Sequence, residues 1–178
     1  MLRVVKIFRV YDMQRCTLQS IAPNLKILGG NKMNEEKIAS IMHELIESLE
    51  TADVEKSLSF FAEDGVWINP NGTFKGKEEL RRYLTISAQS MRDMKISETG
   101  NKIIVQGNRS FYEHVIAVTI EGERAEGLAM CAYEFTDDKI QEVRTVYDRL
   151  LIAKQVAKGW LAKKLVNSIV KQAEKGLH

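Results

Sequence analysis

The sequence predicts an α+β fold: three N-terminal helices packed on a curved antiparallel sheet, with one further basic helix at the C-terminal end. Three observations carry this expectation. Apolar residues recur at three- and four-residue spacing up to about residue 91, alternate between 102 and 148, and return to helical spacing from about 149. The alternating runs are separated by Gly107-Asn108, Glu121-Gly122-Glu123 and Asp137-Asp138, connections short enough only for antiparallel neighbours. With 178 residues, the chain has room for one domain plus extra segments, and for a core that needs no staples.

Each element follows in order. Ile38, Ile41, Met42, Leu45, Ile46 and Leu49 form one face of a first helix, with Asn34 as N-cap and Glu35 and Glu36 in the positive first turn. Asp53 opens a second helix over 53–62 that buries Val54, Leu58, Phe60 and Phe61. Asp64-Gly65 ends it, and Val66-Trp67-Ile68 reads as a strand running into the turn Asn69-Pro70-Asn71-Gly72. A third helix covers about 77–91, with Leu80, Tyr83, Leu84 and Ile86 on its apolar side. Strands are expected at 102–106, 109–121, 125–136 and 140–148. From 149 the chain is helical again, with Leu151, Ile152, Val156, Trp160, Val166, Ile169 and Val170 on one broad side and lysines on the other. Gly159 marks a bend in that helix or a close approach.

Charge divides the chain into three parts. Residues 1–32 carry six Lys/Arg against one Asp, residues 33–148 carry 13 basic against 22 acidic, and residues 149–178 carry seven basic against one Glu. The expected organisation is a basic N-terminal extension over 1–32, a pocket domain over 33–148 and an amphipathic basic helix over 149–178. The extension reads as a poorly ordered tail, as a short packed element, or as a targeting segment; it is acid-poor but contains few serines. The terminal helix packs across a sheet, lies on an anionic membrane surface, or binds a protein partner.

Several function classes are excluded at this level. Cys16 and Cys131 are the only cysteines, with no paired spacing for a disulfide scaffold or thiolate site. His43, His114 and His178 have no ligand spacing, so no metal is expected. No phosphate-binding loop, dinucleotide fingerprint or nucleophile elbow occurs, and no cofactor is implied. The acidic centre argues against nucleic acid. No apolar run is long enough to span a membrane, and with no secretory signal and no paired cysteines the expected location is the cytoplasm.

The order helix, helix, strand, helix and four-strand meander resembles the cone-shaped, cystatin-like fold of SnoaL-like and nuclear-transport-factor-2-like proteins, shared with ketosteroid isomerase and limonene epoxide hydrolase. The residues that carry the resemblance are Asp53, the run Phe61-Ala62-Glu63-Asp64-Gly65-Val66-Trp67-Ile68-Asn69-Pro70, Phe74-Lys75-Gly76-Lys77, and Asp138-Lys139-Ile140 through Tyr147-Asp148. It covers about 34–150. It implies a pocket between the helices and the sheet, a small-molecule ligand, and a homodimer formed through the outer sheet face. Placing Trp67 and Asn69 in the pocket sends Tyr112, His114, Ile116, Val118, Cys131, Tyr133, Val143, Thr145 and Tyr147 inward by strand parity. Glu113, Glu134, Glu142, Arg144 and Asp148 then face outward.

The known chemistries of these relatives do not transfer. The isomerase pattern needs a carboxylate where Asn69 stands and acidic donors where Leu45 and Cys131 stand, and an amide abstracts no proton. Of the epoxide-hydrolase set, Asn69 matches, but Trp67 replaces a tyrosine, Tyr112 an arginine, and His114 and Thr145 the two aspartates. His114 is therefore the candidate base, with Asn69 and a tyrosine as hydrogen-bonding groups and Trp67, Tyr112, Tyr133, Thr145, Tyr147 and Cys131 as the substrate-binding wall. The expected function is a small-molecule-binding protein acting on a mostly apolar substrate as an acid–base isomerase, cyclase or hydrolase. The alternatives are a non-catalytic ligand-binding or dimerisation module, and peripheral membrane association through the terminal helix.

Overall fold

The computed structural model describes residues 35–175. The basic extension 1–32, the Asn34 cap, Cys16 and His178 lie outside the described residues. The elements run α1 (Glu35–Glu50), α2 (Val54–Ser59), β1 (Phe61–Asn69), β2 (Gly72–Lys75), α3 (Gly76–Ser90), β3 (Arg92–Gln106), β4 (Arg109–Ile120), β5 (Glu123–Thr136), β6 (Lys139–Tyr147), α4 (Arg149–Val156) and α5 (Gly159–Ala173).

The strands form one six-stranded sheet in the order β2-β1-β6-β5-β4-β3. Strands β3 to β6 make the antiparallel meander expected from the short turns. The sheet is not wholly antiparallel, because β6 returns beside β1 and the two run parallel. That pairing also explains why α2 is shorter than its apolar pattern: the Ile140 N–H donates to Phe60 O at 2.8 Å, so Phe60 ends the helix as its C-cap and Phe61 begins the ladder. Asp53 caps α2 as expected, accepting from Lys56 N at 2.9 Å. Gly65, read as a breaker, sits inside β1 at a register shift between Phe61 and Val66. A Cβ there would meet Ala62 O and Ile140 O at 3.0 Å, so the backbones can approach this closely only at glycine.

Two strand expectations change. The turn at 69–72 joins β1 to β2, a four-residue edge strand too short to show alternation. Strand β3 starts at Arg92 rather than 102 and shifts register twice, between Arg92 and Lys95 and between Glu98 and Ile103. One face is exposed and Met94, Ile96, Thr99, Ile103 and Val105 on the other are half-buried, but the two register shifts break their alternation and hide the first part of the strand from a period-two pattern.

The helices cover the inner face of the sheet. Ile38, Met42, Leu45, Leu58, Leu80 and Leu84 meet Phe61, Phe135, Ile140 and Val143 in one buried cluster. A buried Ser48–Ser57 hydroxyl pair, 2.8 Å apart, ties α1 to α2. The region after β6 is two helices, broken where Gly159 takes φ +73°. Asp148 caps α4, accepting from Leu150 N at 2.8 Å and Leu151 N at 3.0 Å. Helix α4 packs on β5: Gln155 accepts from Glu126 N at 3.0 Å and donates to Glu126 O at 2.7 Å, and Ile152 lies over Gly127. Helix α5 packs against α4 and leaves Trp160, Leu161 and Leu165 exposed. Among the described residues, no helix is long and apolar enough to cross a membrane.

Candidate functional site

A cavity of about 170 Å³ lies between the inner face of the sheet and helices α1, α3 and α4. Its origin is legible along β5. The inward positions of that strand read Ala125, Gly127, Ala129, Cys131, Tyr133 and Phe135, small at one end and large at the other. The large end fills the core, and beside the small end space remains. Strand β4 adds His114, Ile116, Val118 and Ile120 to the wall, α3 adds Tyr83, Leu84 and Ser87, and α4 adds Ile152. The wall therefore continues past residue 148, and among the described residues no charged side chain lines it.

The structure brings together Trp67, Tyr112, His114, Cys131, Tyr133, Thr145 and Tyr147 on this wall. Asn69 is not on it. Its Oδ1 accepts from Asn71 N at 2.8 Å, an Asx turn that closes the β1–β2 hairpin, and its buried Nδ2 lies on the side of the Tyr83 phenol. Of the residues expected outward, Arg144 pairs with Glu134 at 3.4 Å and with Glu142, whereas Asp148 is the α4 cap.

His114 is the polar centre of the wall. It is 5% exposed and stacks on Tyr112 with centroids 4.5 Å apart and planes 15° from parallel. Burial lowers its pKa below the ordinary 6.5, against a smaller opposing pull from the Tyr112 backbone, so the ring is neutral at pH 7. Its Nδ1 is buried with no partner among the described residues. Burial pushes Tyr112 up to about 12, with Glu98, Cys131 and Glu50 adding to the effect. Burial likewise raises Tyr133 and Cys131, so both stay protonated near neutrality.

Other groups on the wall are already engaged. Trp67 Nε1 donates to Thr145 Oγ1 at 2.9 Å, and Thr145 Oγ1 lies 3.3 Å from Cys131 Sγ. Tyr147 OH accepts from Asn71 Nδ2 at 3.1 Å. The indole N–H expected to hold a substrate atom is thus spent within the protein.

Tyr83 and Ile152 were not among the residues expected at the site. Tyr83 stacks on Phe74 at 4.2 Å and meets the edge of Trp67 at 5.3 Å. Burial raises its pKa, and the side chains of Ser87, Asn71 and Asn69 beside the phenol pull it back. A phenol within the apolar stripe of a helix was the available signal. Ile152 had none, because its place depends on Gly127 across the fold.

A family model described as the SnoaL-like domain matches residues 42–143, more than half of the chain. The chain belongs to the SnoaL-like family. Solved structures agree on the fold at low identity. An NTF2-like protein of unknown function from Burkholderia pseudomallei superposes with a TM-score of 0.63 at 17% identity, over 71% of this chain and 100% of that one. A hypothetical protein with a ketosteroid isomerase-like fold from Catenulispora acidiphila, in complex with trimethylamine, gives 0.60 at 16%, over 65% and 90%. An LEH-like epoxide hydrolase from M. tuberculosis gives 0.59 at 17%, over 74% and 97%. Comparison with curated proteins finds no match. Among the described residues, no cluster of His, Cys, Asp or Glu has the makings of a metal site.

Proposed function

We propose that this SnoaL-like chain binds a small, mostly apolar molecule in the inner cavity and acts on it by acid–base chemistry, as an isomerase, cyclase or hydrolase, with His114 as proton acceptor. The observation that carries the reading is the His114 ring: buried, neutral, set in the largely apolar wall of the cavity, and with an Nδ1 that has no partner among the described residues. A buried polar atom without a partner costs free energy, and a ligand polar group supplying that partner recovers it. A neutral imidazole is also the form that accepts a proton. Protonated Tyr112 and Tyr133 on the same wall support hydrogen bonding to a substrate oxygen. Asn69, engaged in its turn, is left out of the reacting set. The test is His114→Ala assayed on a substrate found by screening: binding is expected to persist while turnover falls by about 10²–10⁴-fold. Unchanged turnover overturns the base.

A second reading, a ligand-binding module without catalysis, is favoured by the absence of any carboxylate among the described residues of the wall. Saturable binding with no turnover in any screened reaction class selects it. For assembly we propose a homodimer through the outer sheet face, where Ile104, Phe111, Leu128 and Val146 are exposed. Light scattering is expected to give twice the chain mass; a monomer overturns the pairing. The exposed Trp160, Leu161 and Leu165 beside the lysines of α5 support peripheral membrane contact as a further property. Equal sedimentation with anionic liposomes, with and without residues 149–178, ends that idea.

A further inference from the structure

The inner cavity does not end at its own wall. Tyr83, Ser87, Met91, Ile120, Tyr147 and Ile152 line it and also line an outer groove of about 570 Å³ between α3 and α4. The chemistry changes from one space to the other. Among the described residues, the inner cavity has no charged side chain, whereas the groove adds Arg82 from α3 and Arg149 from the first turn of α4. Among the described residues, no carboxylate lines either space. Arg149 donates from one Nη to Pro70 O at 2.8 Å, which holds it beside the β1–β2 turn with further N–H groups to spare. Arg82 is exposed and makes no ion pair among the described residues. Phe74, Ile86, Ala153 and Val156 keep the remainder of the groove largely apolar.

We infer that the groove is the head-group subsite of the same pocket, and that the ligand is an amphipathic carboxylate with its apolar body in the inner cavity and its carboxylate against Arg82 and Arg149. An ionised carboxylate meets no counter-charge among the described residues of the inner cavity, where burial without a partner is strongly unfavourable. In the groove it keeps part of its hydration and meets guanidinium forks whose geometry matches its two oxygens. The two spaces thereby impose one orientation. The head stays at the mouth, and His114, which lines the inner cavity alone, meets the body of the ligand. This inference rests on the inner cavity being a small-molecule site, and the experiment separates the two.

Octanoate, 1-octanol and octylammonium are titrated calorimetrically into the full chain. Octanoate is expected to bind about tenfold or more tighter than octanol, the scale of a charge-assisted hydrogen bond. Arg82→Gln with Arg149→Gln removes that preference, bringing octanoate down to the affinity of octanol. Arg82→Glu, at an exposed position, shifts preference toward octylammonium. Ala129→Leu, inside the cavity, weakens octanoate and octanol together. Equal affinity of the wild type for octanoate and octanol, or a preference that survives both arginine substitutions, overturns the carboxylate subsite and leaves the cavity reading standing. Failure of all three probes to bind, or binding indifferent to Ala129→Leu, overturns the cavity reading and this inference with it.

Discussion

Phe135, Ile140 and Val143 face the helices from one end of the sheet's inner surface, and Ile116, Val118 and Ala129 face them from the other. The first group is locked into a cluster with Ile38, Met42 and Leu45. In the second, Val118 and Ala129 are just as shielded from solvent but stand outside that cluster, on the wall of the cavity. Trp67, Tyr112, Cys131 and Tyr133 belong to both and mark the boundary. Alternation is the same at the two ends, so what distinguishes them is side-chain volume. Inward residues on β5 shrink from Phe135 to Ala125 while the strand keeps its pairing with β4 throughout. Burial alone therefore does not report packing, and a hollow is written as a size gradient along a strand.

The largest test of this contrast is truncation. Leu45→Ala, in the filled end, is expected to lose about 2–5 kcal/mol, because the neighbours cannot close the gap. Ile116→Ala, on the cavity wall, is expected to lose about 1 kcal/mol, since it enlarges an existing space. Urea denaturation measures both, and equal losses would erase the distinction. Enlargement runs the other way: Val143→Phe should cost about 1–3 kcal/mol by overpacking, whereas Ala129→Leu, growing into free space, should cost less than about 1 kcal/mol.

A third substitution probes the closure of the hollow end. A Cβ on Gly127 would lie 3.2 Å from Ile152 Cδ1, so Gly127→Val should push α4 off β5. Faster amide exchange in 149–156, with β1 and β6 unchanged, is the expected result; unaltered exchange there would mean that α4 adapts. The smallest effect concerns pH. The folded pKa of His114 lies below the ordinary 6.5, so the unfolded chain takes up its proton first as pH falls. Stability from this group is intact above 6.5, is lost progressively below it, and the loss levels off beneath the folded pKa. His114→Gln should flatten that part of the stability profile. A slope of opposite sign would place a carboxylate beside the ring.

Much of this was legible in the sequence because strand parity is a local property. Once Trp67 was placed inward, alternation assigned His114, Cys131, Tyr133 and Thr145 to the same face, and the cavity wall holds them all. Parity did not rescue Asn69, whose carbonyl is taken by its own turn. Of strand β3 only 102–106 was legible, because register shifts interrupt its alternation before Ile103, and β2 was missed because four residues are too few. The docking of α4 depends on Gly127 meeting Ile152, a match between two segments that neither announces. Tyr83 could have been found, since a phenol in an apolar stripe needs a partner.

The parallel seam between β1 and β6 has a consequence for how this chain acquires its structure. Val66 pairs with Glu142 and Trp67 with Val143, partners separated by nearly half the sequence. During synthesis the helices and the first hairpin leave the ribosome well before the strand that must lie beside them. Closing so long a loop forfeits entropy before any contact returns it, which slows folding. Meanwhile one side of β1 presents unpaired backbone groups to any passing strand. The domain is therefore most exposed to misassembly in the interval before residues 139–147 arrive, and its folding rate should answer to changes in β6 more than to changes in the helices that fold first.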